Sequence, residues 1–247
     1  MKRSLLLLLI STLGLRADGV ADLRAALSRL QGTTALKGTL EVKRWNRNGE
    51  GKEAIERAGH ATAWVEDGPQ GLRMFWDRSL LGQVGQEARA IRKDPNAKNP
   101  ATTGLGALSP KLVTEQINAA EVVAGQLEHA NFQAETRETW QGRPARMLTF
   151  GLTTKGLSDR DRKYVKDFTG TAQIWIDEDG TPLASTTKVS LKGRAFLVVS
   201  FNQEQEESSA YQKVGDRLVC VRTELTSAGS GAGEKGKTHN VTTFAVQ

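Results

Sequence analysis

The sequence predicts a mainly β, α+β fold: one large curved antiparallel sheet with helices on one side. Three observations lead there. Period-two alternation of apolar and polar residues dominates most of the 247 residues. Consecutive strand-like runs are joined by hairpin turn chemistry. The two helical interruptions sit together, between the early and the late strands.

The chain opens on Lys2 and Arg3, followed by an apolar run from Leu5 to Leu15 broken only by Ser11, Thr12 and Gly14. A basic start with an apolar run shorter than the roughly 20 residues of a membrane-spanning helix reads as a secretory leader over 1–17, ending at Ala17 or one or two residues later. The expectation is a periplasmic protein, peripheral to a membrane at most, with a single domain over 18–247. Val20, Leu23, Ala26, Leu27 and Leu30 then fall on one helix face, stopped by Gln31-Gly32. From Leu36 the period changes: Leu36, Gly38, Leu40 and Val42 alternate with Lys37, Thr39, Glu41 and Lys43, a half-buried strand. Strands are predicted likewise over Arg57 to Glu66, Gly71 to Trp76, Phe132 to Trp140, Ala145 to Thr153, Phe168 to Asp177, Leu183 to Lys192, Ala195 to Gln203, Leu218 to Leu225 and Lys237 to Val246. A helical insert at about 80–129 comprises Leu80 to Lys93 and a single helix from Pro110 to His129. Between them Asp94 to Ser109, with Pro95, Pro100, Gly104 and Gly106, reads as a mobile surface loop, and so does the charge-alternating Lys155 to Lys166.

The formal net charge is +6, from 34 Lys and Arg against 28 Asp and Glu, and the leader alone holds Lys2, Arg3 and Arg16. The remaining cations are spread without a basic block or aromatic interleaving, which argues against nucleic acid as a partner. The lone Cys220 excludes an intramolecular disulfide, and its place in Leu218-Val-Cys-Val-Arg222 reads as a buried small hydrophobe. His60, His129 and His239 lie far apart in no ligand spacing, so no metal and no cofactor is expected. There is no Gly-x-Ser-x-Gly, and the carboxylates of Asp177 to Asp179 and of Glu204, Glu206 and Glu207 read as turn and solvent-face charges; no catalytic residue is assigned and no enzyme is expected. Gly231 to Thr238 matches the phosphate-loop pattern letter for letter. Such a loop needs a helix starting at its Lys-Thr, whereas Val241, Thr242, Thr243, Phe244 and Val246 favour a strand, so the segment reads as a Gly-rich hairpin and no nucleotide is expected.

Trp45, Trp64, Trp76, Trp140 and Trp175 all fall on or at the end of predicted strands. One reading is an aromatic-rich core beneath the helices. The other is a concave apolar face that the helices only partly fill, leaving a cavity for an acyl chain or a peptide. Its candidate walls are Trp45, Trp64, Trp76 and Trp175 from the strands with Leu112 and Ile117 from the helices. A one-residue change of register would move any of the tryptophans to the opposite face.

Asp22-Leu-Arg-Ala-Ala-Leu27-Ser-Arg-Leu30, the strand Leu36 to Lys43, Gly59-His-Ala-Thr-Ala-Trp64-Val65 and Leu72-Arg-Met-Phe-Trp76 resemble the start of the LolA/LolB-like periplasmic lipoprotein carriers. Gly170-Thr-Ala-Gln-Ile-Trp175-Ile176-Asp177, followed by Gly180-Thr-Pro-Leu183, is similar to the strand-turn-strand of their second half. The resemblance implies an open half-barrel with helices covering its concave face, in proteins that bind lipoprotein acyl chains or sense envelope components. The carriers have a basic residue soon after the Trp-Val that helps hold the helical lid; here Glu66-Asp67-Gly68 follows, and that role does not carry over. Two functional expectations result. In the first, an exported non-enzymatic protein binds a lipid or an acylated protein in the cavity between sheet and helices. In the second, an envelope sensor or adaptor of the same fold grips another protein without a lipid ligand.

Overall fold

The computed structural model describes residues 18–195 and 199–247; the leader expected at 1–17, and Phe196 within the strand expected from Ala195, lie outside them. Helix α1 (Gly19–Arg29) starts where the Asp18 carboxylate accepts from the backbone N–H groups of Val20 and Ala21 at 3.0 and 3.3 Å. Strands β1 (Leu36–Asn48), β2 (Ile55–Asp67) and β3 (Arg73–Trp76) follow. Helices α2 (Arg78–Lys93), α3 (Pro100–Leu105), α4 (Pro110–Ile117) and α5 (Ala119–Glu128) form the insert. Then come β4 (Ala130–Trp140), β5 (Arg143–Leu152), the short α6 (Asp159–Arg162), β6 (Val165–Ile176), β7 (Pro182–Ala195), β8 (Val199–Val214), β9 (Arg217–Gly231) and β10 (Glu234–Val246).

The ten strands make one curved antiparallel sheet in the order β3-β2-β1-β10-β9-β8-β7-β6-β5-β4, with β3 and β4 as open edges. Every neighbouring pair except β1 and β10 is consecutive in the chain, as the hairpin chemistry demands. Helices α1, α4 and α5 cover the concave face. Leu23, Leu27 and Leu30 around α1, with Ala120, Val123 and Leu127 of α5, pack on Leu148, Ile174, Ile176 and Leu218. A second cluster joins Val113 and Ile117 of α4 to Leu36, Leu40, Val42, Ala61, Ala63 and Val65. Each fully buried Leu, Ile or Val contributes about 1.5–3 kcal/mol, so the helix layer is held by area rather than by polar bonds.

Four expectations are corrected. Asp94 to Ser109 is no open loop: α3 lies backbone to backbone on β2, since a Cβ on Gly59 would stand 2.0 Å from the Pro100 carbonyl oxygen and one on Gly104 2.2 Å from the His60 carbonyl carbon. Only glycine permits that approach. The Glu87 carboxylate of α2 accepts from the N–H groups of Ala101 and Thr102 at 2.9 and 2.8 Å and so caps α3. The helix expected from Pro110 to His129 is two, because Asn118 leaves helical geometry at φ −121°, ψ 45° while its Oδ1 accepts from Arg217 at 2.6 Å. A tertiary bond thus selects the break. Lys155 to Lys166 contains α6, capped by Ser158. Strand β8 runs on to Val214, well past the Gln203 at which alternation ends.

Gly231 to Thr238 is the β9–β10 hairpin, turning at Ala232 (φ 53°) and Gly233 (φ 82°). Lys237 and Thr238 are strand residues opposite Ala228 and Ser227, so no helix N-terminus is presented to a phosphate there. Among the described residues no helix is long and apolar enough to cross a membrane.

A cavity between the sheet and the helix pair

Where α4 meets α5 the helices do not close on the sheet, and a cavity of about 210 Å³ remains. Its floor follows from the register. Val42, Thr242, Thr223 and Ser209 form one rung across β1, β10, β9 and β8, and Asn240, Leu225 and Glu207 form part of the next. Antiparallel partners share a face, so all of them point toward the helices. The roof comes from Leu112, Glu115 and Gln116 of α4 and Ala119, Val122 and Gln126 of α5. Tyr211 continues the inward register of Glu207 and Ser209, and Cys220 reaches the floor through the β-bulge opposite Ala210 and Tyr211, where the extra residue Val221 re-aims β9. Half-buried Leu112, Glu115, Val122, Glu207, Leu225 and Asn240 make the rim.

The deep end is polar. The Gln116 amide N–H donates to Thr223 Oγ1 at 3.0 Å, and Cys220 Sγ lies 3.1 Å from the same hydroxyl. The Tyr211 hydroxyl meets Ser185 Oγ at 2.7 Å. Gln116 is only 4 % exposed, yet its Oε1 has no partner, and neither has the enclosed Oδ1 of Asn240. Burial, with Glu115 nearby, raises the Glu207 carboxyl above its ordinary range. Burial likewise raises the Tyr211 phenol and the Cys220 thiol, so both stay protonated at neutral pH. Among the described residues no Lys, Arg or His lines the cavity.

The structure distributes the expected wall residues differently. Leu112 lines the cavity, whereas Ile117 is 2 % exposed in the core beneath α4. Trp45, Trp64 and Trp175 alternate with the inward-facing residues and so lie on the other face of the sheet. Trp64 follows Ala63 and precedes Val65, both buried, and its Nε1–H donates to Glu66 at 3.2 Å. Trp175 stands between buried Ile174 and Ile176; it stacks on Trp140 at 5.2 Å and donates to Glu138 at 2.9 Å. Trp45 lines a surface hollow of about 450 Å³ with Arg47, Glu204 and Lys237. Trp76, opposite Ala63, is on the helix-bearing face but at the open β3 edge, 36 % exposed. The tryptophans therefore do not converge, because inward positions of β1 and β2 carry Gly38, Leu40, Val42, Ala61 and Ala63, small enough for the helices to approach. Gln116 and Asn240 carry no signal in the sequence, and Glu207, expected as a solvent-face charge, instead faces the cavity because its register on β8 points inward. The available signal for Glu207 was the polar inward register Gln203, Gln205, Glu207 and Ser209 on β8. Among the described residues no group of three or more His, Cys, Asp or Glu is placed to hold a metal ion.

No family model matches the chain, and no curated protein matches it. Among solved structures it is similar to a LolA superfamily protein from Nitrosomonas europaea at 11 % identity, covering 90 % of each chain with a TM-score of 0.28. MucB in complex with MucA(peri) is similar at 10 % identity, over 92 % of this chain and 93 % of that one, with a TM-score of 0.26. The first bears the family name that Asp22 to Trp76 resembles, but superpositions this loose carry no argument about function, which rests on the cavity and its chemistry.

Proposed function

We propose that the protein is an exported, non-enzymatic binder that takes a small amphiphilic ligand, or the end of a longer one, into the cavity between β8–β10 and the α4–α5 pair. The observation that carries this reading is the cavity's two-sided lining: Val42, Leu112, Val122 and Leu225 offer apolar contact while Glu207, Gln116 and Asn240 offer polar contact. About 210 Å³ is below the roughly 300–1,000 Å³ of drug-sized sites, which favours a short tail over a whole lipid acyl chain. Protonated Tyr211 and Cys220 are poor nucleophiles, in keeping with binding rather than catalysis. Native mass spectrometry of the chain purified from the envelope of an expressing host, followed by organic extraction, tests the proposal. A discrete mass excess that extraction resolves into a small amphiphile supports it. A clean protein mass, unshifted by added amphiphiles, overturns it.

A second reading is an adaptor that grips another envelope protein. It draws on edge strand β4, whose eleven residues are nearly all exposed and whose outer main-chain N–H and C=O groups can take up an added strand. Crosslinking in the same host, with a single photoreactive residue at Thr136, distinguishes it: a specific protein adduct supports this reading and its absence removes it.

A further inference from the structure

We propose that the cavity recognises an ammonium group, with the Glu207 carboxylate as counter-ion and the Gln116 and Asn240 side-chain oxygens as acceptors of its N–H bonds. This rests on the cavity being the ligand site. Glu207, Gln116 and Asn240, from three elements, face one space that Glu115 and Gln126 also line, and among the described residues no Lys, Arg or His of its walls supplies a donor. Among the described residues Glu207 has neither an ion pair nor a side-chain hydrogen bond, whereas its neighbours Glu206 and Glu224 pair with Lys188 at 3.0 Å and with Arg222 at 2.9 Å. Arg44, opposite Asn240 on β1, shares the concave face but is not part of the cavity wall. The unpartnered Oε1 of a Gln116 that is 96 % enclosed is the independent sign, since a buried acceptor is normally satisfied. An ammonium group carries three donors and no acceptor, one for each of these oxygens. Its alkyl stem would lie on Leu112, Val122 and Leu225 at the rim.

The charge could arrive on a free alkylamine or on a lysine side chain. Calorimetric titration of the full chain with hexylammonium chloride, 1-hexanol and an N-acetylated peptide with one lysine separates these. At pH 7 hexylammonium is expected to bind roughly tenfold or more tightly than hexanol, because a charge-assisted bond is about twice as strong as a neutral one. In Glu207→Gln that preference should vanish while hexanol binding persists. A second measurement needs no substitution. The preference should shrink as pH falls through the raised Glu207 titration, while the amine, with a pKa of about 10.4, stays charged. The titratable groups facing Glu207 are Glu115 from α4, Tyr211 from its own strand and Cys220 from β9; the last two are already protonated at neutral pH. Binding of the peptide like hexylammonium assigns the charge to a partner's lysine, and binding of hexylammonium alone assigns it to a free amine; both support the proposal. Equal affinity for hexylammonium and hexanol overturns the ammonium proposal and leaves the cavity as a ligand site. Binding of neither overturns both.

Discussion

Arg217 at the start of β9 donates to the Asp67 carboxylate at the end of β2 across 2.6 Å, and its second terminal nitrogen donates to Asn118 Oδ1 at 2.6 Å. With a third bond to the Thr34 carbonyl oxygen at 3.1 Å, one guanidinium ties two distant strands, a loop and the α4–α5 junction together. The acid is on β2 and the cation on β9, and the cation reaches the helices.

Arg217 is 3 % exposed, and its removal leaves the half-buried Asp67 carboxylate and the Asn118 amide without this partner. Arg217→Ala should destabilise the fold by about 3–5 kcal/mol, measured by urea denaturation. Arg217→Leu combined with Asp67→Leu should recover much of that, because no unpaired charge is then left. A loss below about 1 kcal/mol for the single substitution would contradict the assigned role.

Gly59 and Gly104 permit the contact of α3 with β2. Alanine at either position should cost about 1–3 kcal/mol through forced displacement of α3, and amide exchange should quicken first in α2 and α3. Global stability unchanged in both variants would refute the close approach.

Glu207 has its carboxyl pKa raised in the folded state. The folded protein therefore holds a proton that the unfolded chain releases, and this group's contribution to stability falls as pH rises from about the ordinary glutamate value of 4.5 through the raised one. Glu207→Gln should melt higher than the unaltered chain at pH 7, and the difference should close below about pH 4.5. A thermal melting series between pH 4 and 8 reads this directly.

Ala232 occupies a left-handed turn position at φ 53°, followed by Gly233. A type I′ hairpin favours Asn or Gly there, so Ala232→Asn should stabilise by about 0.5–1 kcal/mol, seen as a raised denaturant midpoint. No change, or a loss, would show that the turn is not held in this form.

Cys220 is 5 % exposed, with its thiol pKa raised by burial. Its reaction with a thiol reagent at pH 8 should be slow in the native protein and complete within minutes after denaturation.

The strands were legible where one face is apolar and the other charged, as in Leu36 to Lys43, and helix α1 where a cap precedes a clear 3.6-residue period. Legibility failed in three kinds of place. Strand β8 was cut short because its inward side chains Glu207 and Ser209 line a polar cavity, which erases the alternation on which strand recognition depends. Helix α3 went unseen because Pro95, Pro100, Gly104 and Gly106 usually signal a loop, whereas here Gly104 serves as the face that docks on β2 at His60. The break at Asn118 is imposed by Arg217, 99 residues away, and leaves no local trace. The candidate site suffered most: aromatic residues drew attention to the strands, but their register puts most of them on the side away from the helices, and the residues that meet in the cavity come from chain segments that only folding brings together.

The pairing of β1 with β10 governs the order in which the molecule can be completed. The leaflet β1–β3 and the meander β4–β9 share no ladder of their own; β10 is the seam between them. A chain emerging N-terminus first leaves Gly38 waiting for Val246, about two hundred residues later, before the two halves can be stitched. Assembly of the full sheet is therefore a late event, and loss of the thirteen residues of β10 would leave two half-sheets joined by no ladder rather than a slightly smaller sheet.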